Sequence, residues 1–246
     1  MEETTVIGRH AVLEALEGGA AVHKIWVQEG VGGPFRSALE RRARERGVPV
    51  RVVPKARFAP YAALRHQGVI AFLAPFPYAD AEALIRDAEA KEQALWVLLD
   101  GLTDPHNIGA VIRTAAATGA DAVVLPKHQS GGLTPAAIKA SAGAVFRLPV
   151  ARVTNLVRLA EAMKAAGFWL IGASAAAERD YRQADYTGKA AIVVGSEGRG
   201  IRPLIRRHLD DVVRLPMKSG VESLNVSVAA ALLLYEALRQ REPIGG

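Results

Sequence analysis

Cysteine is absent from this chain of 246 residues. Its absence excludes disulfides, a thiolate nucleophile, Cys-ligated zinc and iron–sulfur clusters. It also accords with a reducing cytosol. No apolar run approaches the ~18 residues that suggest a membrane span. The opening Met1-Glu2-Glu3-Thr4-Thr5 is acidic and lacks the basic-then-apolar order of a signal peptide. The expected location is cytoplasmic, with no membrane partner. Asparagine is scarce, occurring only at Asn107, Asn155 and Asn225. Low Asn and no Cys fit a heat-adapted proteome. No Gly-Lys-Ser/Thr phosphate loop and no GxGxxG fingerprint is present, which argues against a P-loop or dinucleotide enzyme. No internal repeat breaks the chain into arrays.

Positive charge is abundant. The net charge is +6, and 23 of the 31 basic residues are Arg. Arginine's planar fork fits phosphate oxygens. A basic, Arg-dominated chain favours a nucleic-acid partner without proving one. The charge is uneven. Residues 1–73 carry +4, residues 74–92 carry −3, and residues 93–246 carry +5.

These shifts suggest three stretches. Residues 1–73 read as a small α/β unit. Helices are expected over 9–17 and from Pro34 to Gly47, and strands at His23–Gln28, Val50–Val53 and Val69–Leu73. The second helix carries Arg36, Arg41, Arg42, Arg44 and Arg46. It is either a solvated face or an RNA-backbone contact. Ala74-Pro75-Phe76-Pro77-Tyr78 opposes helix and central strand alike, so a linker is expected near 74–79. A short acidic helix, about 80–90, follows it.

Residues 93–246 repeat the alternation more strongly. Apolar runs lie at Leu95–Leu99, Ala122–Leu125, Phe168–Ile171, Ala191–Val194 and Val212–Leu215. Such runs suit strands buried on both faces of a parallel sheet. Each is expected to be followed by a helix. Ligands of such sheets bind beyond the carboxyl ends of the strands, so the loops there are the places to search.

Three of these loops stand out. Asp100–Gly109 opens a helix containing Arg113. Pro105 and Asn107 suit a helix start, and capping is the plain reading of Asn107. Arg113 sits among Val111, Ile112, Ala115 and Ala116 and is expected to be buried. A buried arginine needs a carboxylate or a ligand anion. The loop Gly195-Ser196-Glu197-Gly198-Arg199-Gly200 has glycines that permit positive φ and close backbone approach. A plain turn does not explain its Glu197. The third loop runs Leu215 to Ser227, with Ser223, Asn225 and Ser227 as competent caps of a helix Val226–Arg241. That helix is apolar around most of its circumference, which predicts burial. Its N-terminus is suited to an anion.

The strings Asp104-Pro105-His106-Asn107-Ile108-Gly109-Ala110-Val111-Ile112-Arg113, Gly195–Gly200 and Leu215-Pro216-Met217 with Ser223-Leu224-Asn225-Val226-Ser227 resemble the three motifs of the SpoU/TrmH family. That family comprises RNA ribose 2′-O-methyltransferases of the SPOUT superfamily. Val6–Val12 and His66-Gln67-Gly68-Val69 resemble the ends of its L30e-like substrate-binding domain. Arg152-Val153-Thr154-Asn155-Leu156 and Glu236–Arg241 favour the branch that methylates a guanosine in the peptidyl-transferase P-loop of 23S ribosomal RNA.

The resemblance implies an L30e-like α/β domain over 1–73, a linker with a short acidic helix over 74–92, and a SPOUT α/β domain over 93–246. It implies a mostly parallel sheet with a trefoil knot, and a homodimer with its sites near the subunit interface. The last helix is then a dimer surface, unless it packs only within one subunit. S-adenosylmethionine is the implied cofactor, contacted by Gly195, Leu215 and Leu224 with Ala173, Met217 and Ser223 nearby. Arg113, Asn107, Glu197 and Asn225 are the implied catalytic group. Arg113 would hold a phosphate, and Glu197 would pair with Arg113 or orient the acceptor ribose. His106 is a weaker candidate base. Arg9, His10, Arg41 and His66 are the implied RNA contacts. No metal is implied. The implied partner is 23S ribosomal RNA or its assembly intermediate. The alternatives are another rRNA or tRNA nucleotide under the same chemistry, or an RNA-binding protein without catalysis. The last would not need Arg113, Glu197 and Asn225 together.

Overall fold

The run Leu95–Leu99 admits no polar residue because both of its faces are covered. In the computed structural model it lies in β5 (Ala94–Asp100), every residue of which is buried. The structure describes residues 5–17, 21–74, 76–218, 220 and 223–242. Met1–Thr4, part of the linker reading (Pro75), and Ser219, Val221 and Glu222 of the third loop lie outside the described residues. The chain forms two units, Met1–Pro77 and Tyr78–Gly246.

The smaller unit contains β1 (Thr5–Ile7), α1 (Arg9–Glu17), β2 (Val22–Gln28), α2 (Gly33–Glu45), β3 (Val50–Val53) and β4 (Val69–Leu73). Its sheet runs in the order β1-β4-β2-β3. Only β2 and β3 are parallel; β4 runs antiparallel to both of its neighbours. Val12 and Leu16 of α1 and Leu39 and Ala43 of α2 pack on Ile25, Val27, Val69 and Ala71. A short 3-10 segment, Lys55–Tyr61, meets the opposite face. The three-residue β1 is too short to show a periodicity and was not expected as a strand.

In the larger unit α3 (Ala81–Glu89) precedes β5. Then come α4 (Pro105–Ala117), β6 (Ala122–Pro126), α5 (Pro135–Ala140), β7 (Val150–Val153), α6 (Leu156–Ala165), β8 (Trp169–Ala173) and β9 (Arg179–Asp180). β10 (Lys189–Gly195), α7 (Pro203–Arg206), β11 (Asp211–Arg214) and α8 (Val226–Arg241) complete it. The sheet has seven strands in the order β7-β6-β5-β10-β8-β11-β9. Every pairing is parallel. All five expected runs are strands. β7 and β9 are additions. β7 mixes buried Val150 and Ala151 with exposed Arg152, and β9 is two residues long.

The expected helix after β8 does not form. Residues 174–183 make turns, β9 and a 3-10 segment instead. Glu178, Arg179, Asp180 and Arg182 leave this stretch without an apolar stripe to dock on the sheet.

One layer of the core joins Trp96 and Phe168, edge to face at 5.4 Å, with Ile85 of α3 and Leu156, Leu159 and Met163 of α6. The acidic helix is thus built into the larger unit. Asp80 caps it, accepting from the Glu82 backbone N–H at 2.9 Å. On α4, a Cβ at Gly109 would stand 2.4 Å from the Ala137 carbonyl oxygen and 2.5 Å from the Ala140 Cβ. Only glycine lets α4 and α5 approach so closely.

α8 departs from the expected all-round burial. Ala230, Leu233, Leu234 and Ala237 are buried. Val228, Leu232 and Tyr235 are 48%, 40% and 55% exposed, and they lie on one stripe at i, i+4 and i+7. Among the described residues no helix is long and apolar enough to cross a membrane.

The end of α8 is fastened by polar groups. Arg241 Nη2 donates to the carbonyls of Ala94 and Gly188 at 2.9 and 2.8 Å, and its Nε donates to that of Tyr186 at 2.9 Å. Burial pulls the Arg241 pKa down. Gln240 bridges Ala184 and Tyr186. The Arg239 guanidinium beside Glu236 holds that carboxyl below its ordinary range. The C-terminal string Glu236–Arg241 therefore serves to anchor the helix. Arg152 of the string Arg152–Leu156 donates to the Lys127 carbonyl at 2.9 Å. Asn155 caps α6.

Candidate active site

Three chain segments separated by many residues meet at one cluster. Asn107 stands in the first turn of α4, Glu197 in the loop after β10, and Asn225 at the start of α8. Glu197 Oε1 accepts from Asn107 Nδ2 at 3.1 Å and from Asn225 Nδ2 at 2.8 Å. Asn225 Nδ2 also donates to Asn107 Oδ1 at 2.9 Å. Two amides thus satisfy one carboxylate oxygen and each other. Glu197 Oε2 accepts no hydrogen bond among the described residues.

The local sequence explains how each arm is held. Asp104 is the cap of α4, accepting from the His106 backbone N–H at 2.9 Å. Pro105 fills the first helical position. Asn107 is therefore not the cap. It is 8% exposed and its amide is turned to Glu197. The capping reading of Asn107 is corrected on this point. Asn225 does cap α8, with Oδ1 accepting from the Ser227 N–H at 2.9 Å. Ser223 is not the cap. One amide group of Asn225 serves two tasks, its oxygen the helix and its nitrogen the cluster.

Arg113 overturns two expectations. It is exposed, and it has no hydrogen-bond or ion-pair partner among the described residues. Val111, Ile112 and Ala115 take the inner side of α4. Arg113 shares the outer side with His106, also exposed. The apolar neighbours gave a false signal because they occupy the inner face, while 113 falls between them at the helical period. Glu197 does not pair with Arg113; its hydrogen bonds go to the two asparagines.

Beside the cluster lies a cavity of about 790 Å³. It opens at the carboxyl ends of β8, β10 and β11. Its lining includes Ala173, Gly195, Leu215, Met217, Ser223 and Leu224, together with Glu197 and Asn225. Asn107 and Arg113 are not part of the lining. The size lies within the ~300–1,000 Å³ of small-molecule sites. Small residues (Ala173, Ser174, Gly195, Gly198) share the wall with apolar ones (Ile201, Leu209, Leu215, Met217), a mixture that suits a small organic ligand.

The glycine loop reaches this shape in two ways. Gly198 and Gly200 take φ of 77° and 66°, accessible to glycine at little cost. A Cβ at Gly195 would fall 2.0 Å from the Gly200 carbonyl carbon. The Gly200 N–H donates to the Ser196 carbonyl at 2.8 Å and closes the loop on itself. The close approach at Gly195 is thus made by the chain's own backbone.

The residue that the sequence reading missed is Arg202. Its backbone N–H donates to Asp100 Oδ2 at 2.7 Å and its Nε to Oδ1 at 2.6 Å. Nη1 reaches Gln129 Oε1 at 2.8 Å. Asp100 is fully buried. An acid closing an otherwise apolar central strand was the available signal, because a buried charge requires a cation. This pair ties the loop after β10 to the end of β5. Asp100→Asn is expected to cost about 2–3 kcal/mol, since charged hydrogen bonds are lost from a buried acceptor. The melting temperature should fall by roughly 5–10 °C. An unchanged melting curve in scanning calorimetry would show the pair to be idle.

The expected RNA contacts fall on the smaller unit. Gly8 N–H donates to the Val69 carbonyl at 3.2 Å, so the strings 6–12 and 66–69 meet in one corner. Arg9 backbone N–H donates to Gln67 Oε1 at 3.0 Å, and its guanidinium lies 4.9 Å from the Phe35 ring. His66 Nδ1 accepts from the Gly68 N–H at 3.0 Å. His10 and Arg41 are exposed. On α2, Arg42 pairs with Glu17 at 2.6 Å and Arg36 with Glu40 at 2.7 Å. Arg41 and Arg44 have no partner among the described residues.

A parallel sheet whose strand ends frame a cavity of this size has the layout of an α/β protein with a small-molecule site. Comparison with known proteins makes this specific. The sequence profile of the SpoU rRNA methylase family matches residues 94–235, and that of the RNA 2′-O ribose methyltransferase substrate-binding domain matches 5–79. A protein of Staphylococcus haemolyticus described as a TrmH-family tRNA/rRNA methyltransferase is 43% identical over 246 residues, covering 100% of this chain and 99% of that one. One of Bacillus subtilis, described in the same way, is 43% identical over 242 residues, covering 98% and 97%. The SpoU methyltransferase AviRb of Streptomyces viridochromogenes, solved in complex with S-adenosylmethionine, superposes with a TM-score of 0.65. It is 29% identical and covers 97% of this chain and 90% of its own. The chain belongs to the SpoU rRNA methylase family and is an S-adenosylmethionine-dependent RNA methyltransferase.

Proposed function

We propose that this protein methylates the ribose 2′-hydroxyl of a guanosine in 23S ribosomal RNA, acting on the RNA or an assembly intermediate as a homodimer. The observation that carries the reaction type is the convergence of Asn107, Glu197 and Asn225 on the rim of the cavity. The substrate-binding profile over residues 5–79 supports a ribose acceptor. The strings at 152–156 and 236–241 support the ribosomal branch.

The six lining residues Ala173, Gly195, Leu215, Met217, Ser223 and Leu224 would hold S-adenosylmethionine. When bound, this cofactor supplies a methyl carbon activated by its sulfonium, so the ribose oxygen gains the methyl as the carbon–sulfur bond breaks. Positioning then supplies much of the acceleration. Arg113 holds the phosphate next to the target and stabilises charge developing on the 2′-oxygen. It does not act as the base, because a guanidinium keeps its proton in a protein. The 2′-hydroxyl proton leaves to the neighbouring phosphate, to water or to another side chain. Glu197 Oε2 orients the acceptor ribose, while Oε1 keeps Asn107 and Asn225 in place. Arg9, His10, Arg41 and His66 contact RNA on the smaller unit. The exposed stripe Val228, Leu232 and Tyr235 on α8 suits burial against a second copy.

The test is methyl transfer from radiolabelled S-adenosylmethionine to unmodified 23S ribosomal RNA and to bulk tRNA, with the modified nucleotide mapped. The expected product is 2′-O-methylguanosine in the peptidyl-transferase P-loop. Methylation of a tRNA or of another rRNA nucleotide would keep the chemistry and reject the target.

A further inference from the structure

The smaller unit's sheet has two unlike faces. α1 and α2 cover one of them with an apolar layer. The other carries Lys24, Trp26 and Arg51. Trp26 is in register with Arg51 on β3 and with Ile70 on β4, and Lys24 with Phe72. Register partners share a face. The 3-10 segment Lys55–Tyr61 covers part of it, burying Phe58 against Ile70 and Phe72. Trp26 stays half-buried beside that cover.

Positive charge surrounds the indole. The Arg57 guanidinium is 5.7 Å from the Trp26 ring. The Lys24 ammonium is 5.8 Å from it and 4.4 Å from the Phe72 ring. Trp26 meets Phe72 edge-on at 4.5 Å, which fixes the plane of the indole. Arg51 and Arg57 are exposed and form no ion pair among the described residues. No strand of this sheet, and no position of the 3-10 segment, is Asp or Glu. The arginines Arg36 and Arg42 of α2, by contrast, are neutralised within the chain.

A partly exposed ring held rigid, with cations around it and no carboxylate on the strands or the 3-10 segment, has the chemistry of a base-stacking platform. We propose that this face of the sheet is an RNA-binding surface. Trp26 stacks an unpaired base, and Arg51, Arg57 and Lys24 hold the flanking phosphates. The proposal rests on the RNA-methyltransferase reading above and adds to it a surface separate from Arg9, His10 and Arg41; His66, whose ring is 4.9 Å from that of Phe58, borders it.

The experiment measures binding of a fluorescein-labelled single-stranded RNA oligonucleotide to the full chain by anisotropy, across a salt series. The double variant Arg51→Gln/Arg57→Gln removes two exposed charges. It should bind about tenfold more weakly, and the slope of log K against log salt should shrink by roughly 1.4, at ~0.7 per contact. Cofactor affinity and kcat at saturating RNA should stay as in wild type, with KM for RNA raised. Trp26→Leu should weaken binding roughly 5- to 100-fold with the salt slope kept. If circular dichroism shows Trp26→Leu to be unfolded, the charge variant alone decides. Wild-type affinity and slope in the double variant would overturn the surface while leaving the methyltransferase reading intact. A wild-type chain that binds no RNA would overturn both.

Discussion

Arg113→Ala should abolish methyl transfer while the fold and the cofactor site survive. The guanidinium makes no hydrogen bond, ion pair or ring contact among the described residues, so its removal breaks no polar contact of the protein. Exposed positions of this kind usually change stability by no more than about 0.5 kcal/mol. The residue is also absent from the cavity lining. Cofactor affinity should therefore hold. The loss should appear in turnover, because stabilising charge that develops only in the transition state is typically worth 10²–10³-fold. Arg113→Lys should recover little, since a point charge does not reproduce a planar fork on phosphate. Calorimetry of the cofactor and initial rates on RNA separate the two effects. Activity within a few-fold of wild type would refute the assigned role. Lost cofactor binding would do the same.

Gly195→Ala should act in the opposite way, on the cofactor first. The added carbon would lie 2.0 Å from the Gly200 carbonyl carbon and 2.2 Å from the Ile201 nitrogen. Both obstacles are backbone, so no side chain can turn aside. The loop must open, and the Gly200-to-Ser196 hydrogen bond and the placement of Glu197 go with it. Overpacking of this order costs about 1–3 kcal/mol, which corresponds to roughly a 5- to 150-fold loss of affinity for S-adenosylmethionine. Gly198→Ala is the matched control. It meets no atom within 4 Å and carries only the ~1–2 kcal/mol of a left-handed residue. Equal cofactor affinities for Gly195→Ala and wild type in calorimetry would show that the close approach is dispensable.

Both predictions begin in strings that could be read directly. The glycine spacing of 195–200 marked a loop of close backbone approach. The apolar runs marked five strands of the large sheet, because strands buried on both faces leave no room for polar residues. The end of α2 was legible to within two residues through Gly47, the helix closing at Glu45. β1 and β9 were not, since three and two residues cannot display a period. β7 was hidden because Arg152 interrupts its apolar pattern.

The sequence by itself determined which loops carry the candidate groups and the order of strands and loops along the chain. Composition, periodicity and motif spacing are local properties, and they carry that much. What each group faces was decided by the tertiary structure. Asn107, Glu197 and Asn225 lie 90 and 28 residues apart in pairs hydrogen-bonded to Glu197, and only the folded sheet brings them together. The same folding put Arg113 outward, buried Asp100 and met it with Arg202, and left one side of α8 bare. Burial is set by neighbours from other elements, and a helix with apolar residues on several sides does not announce which side they will cover.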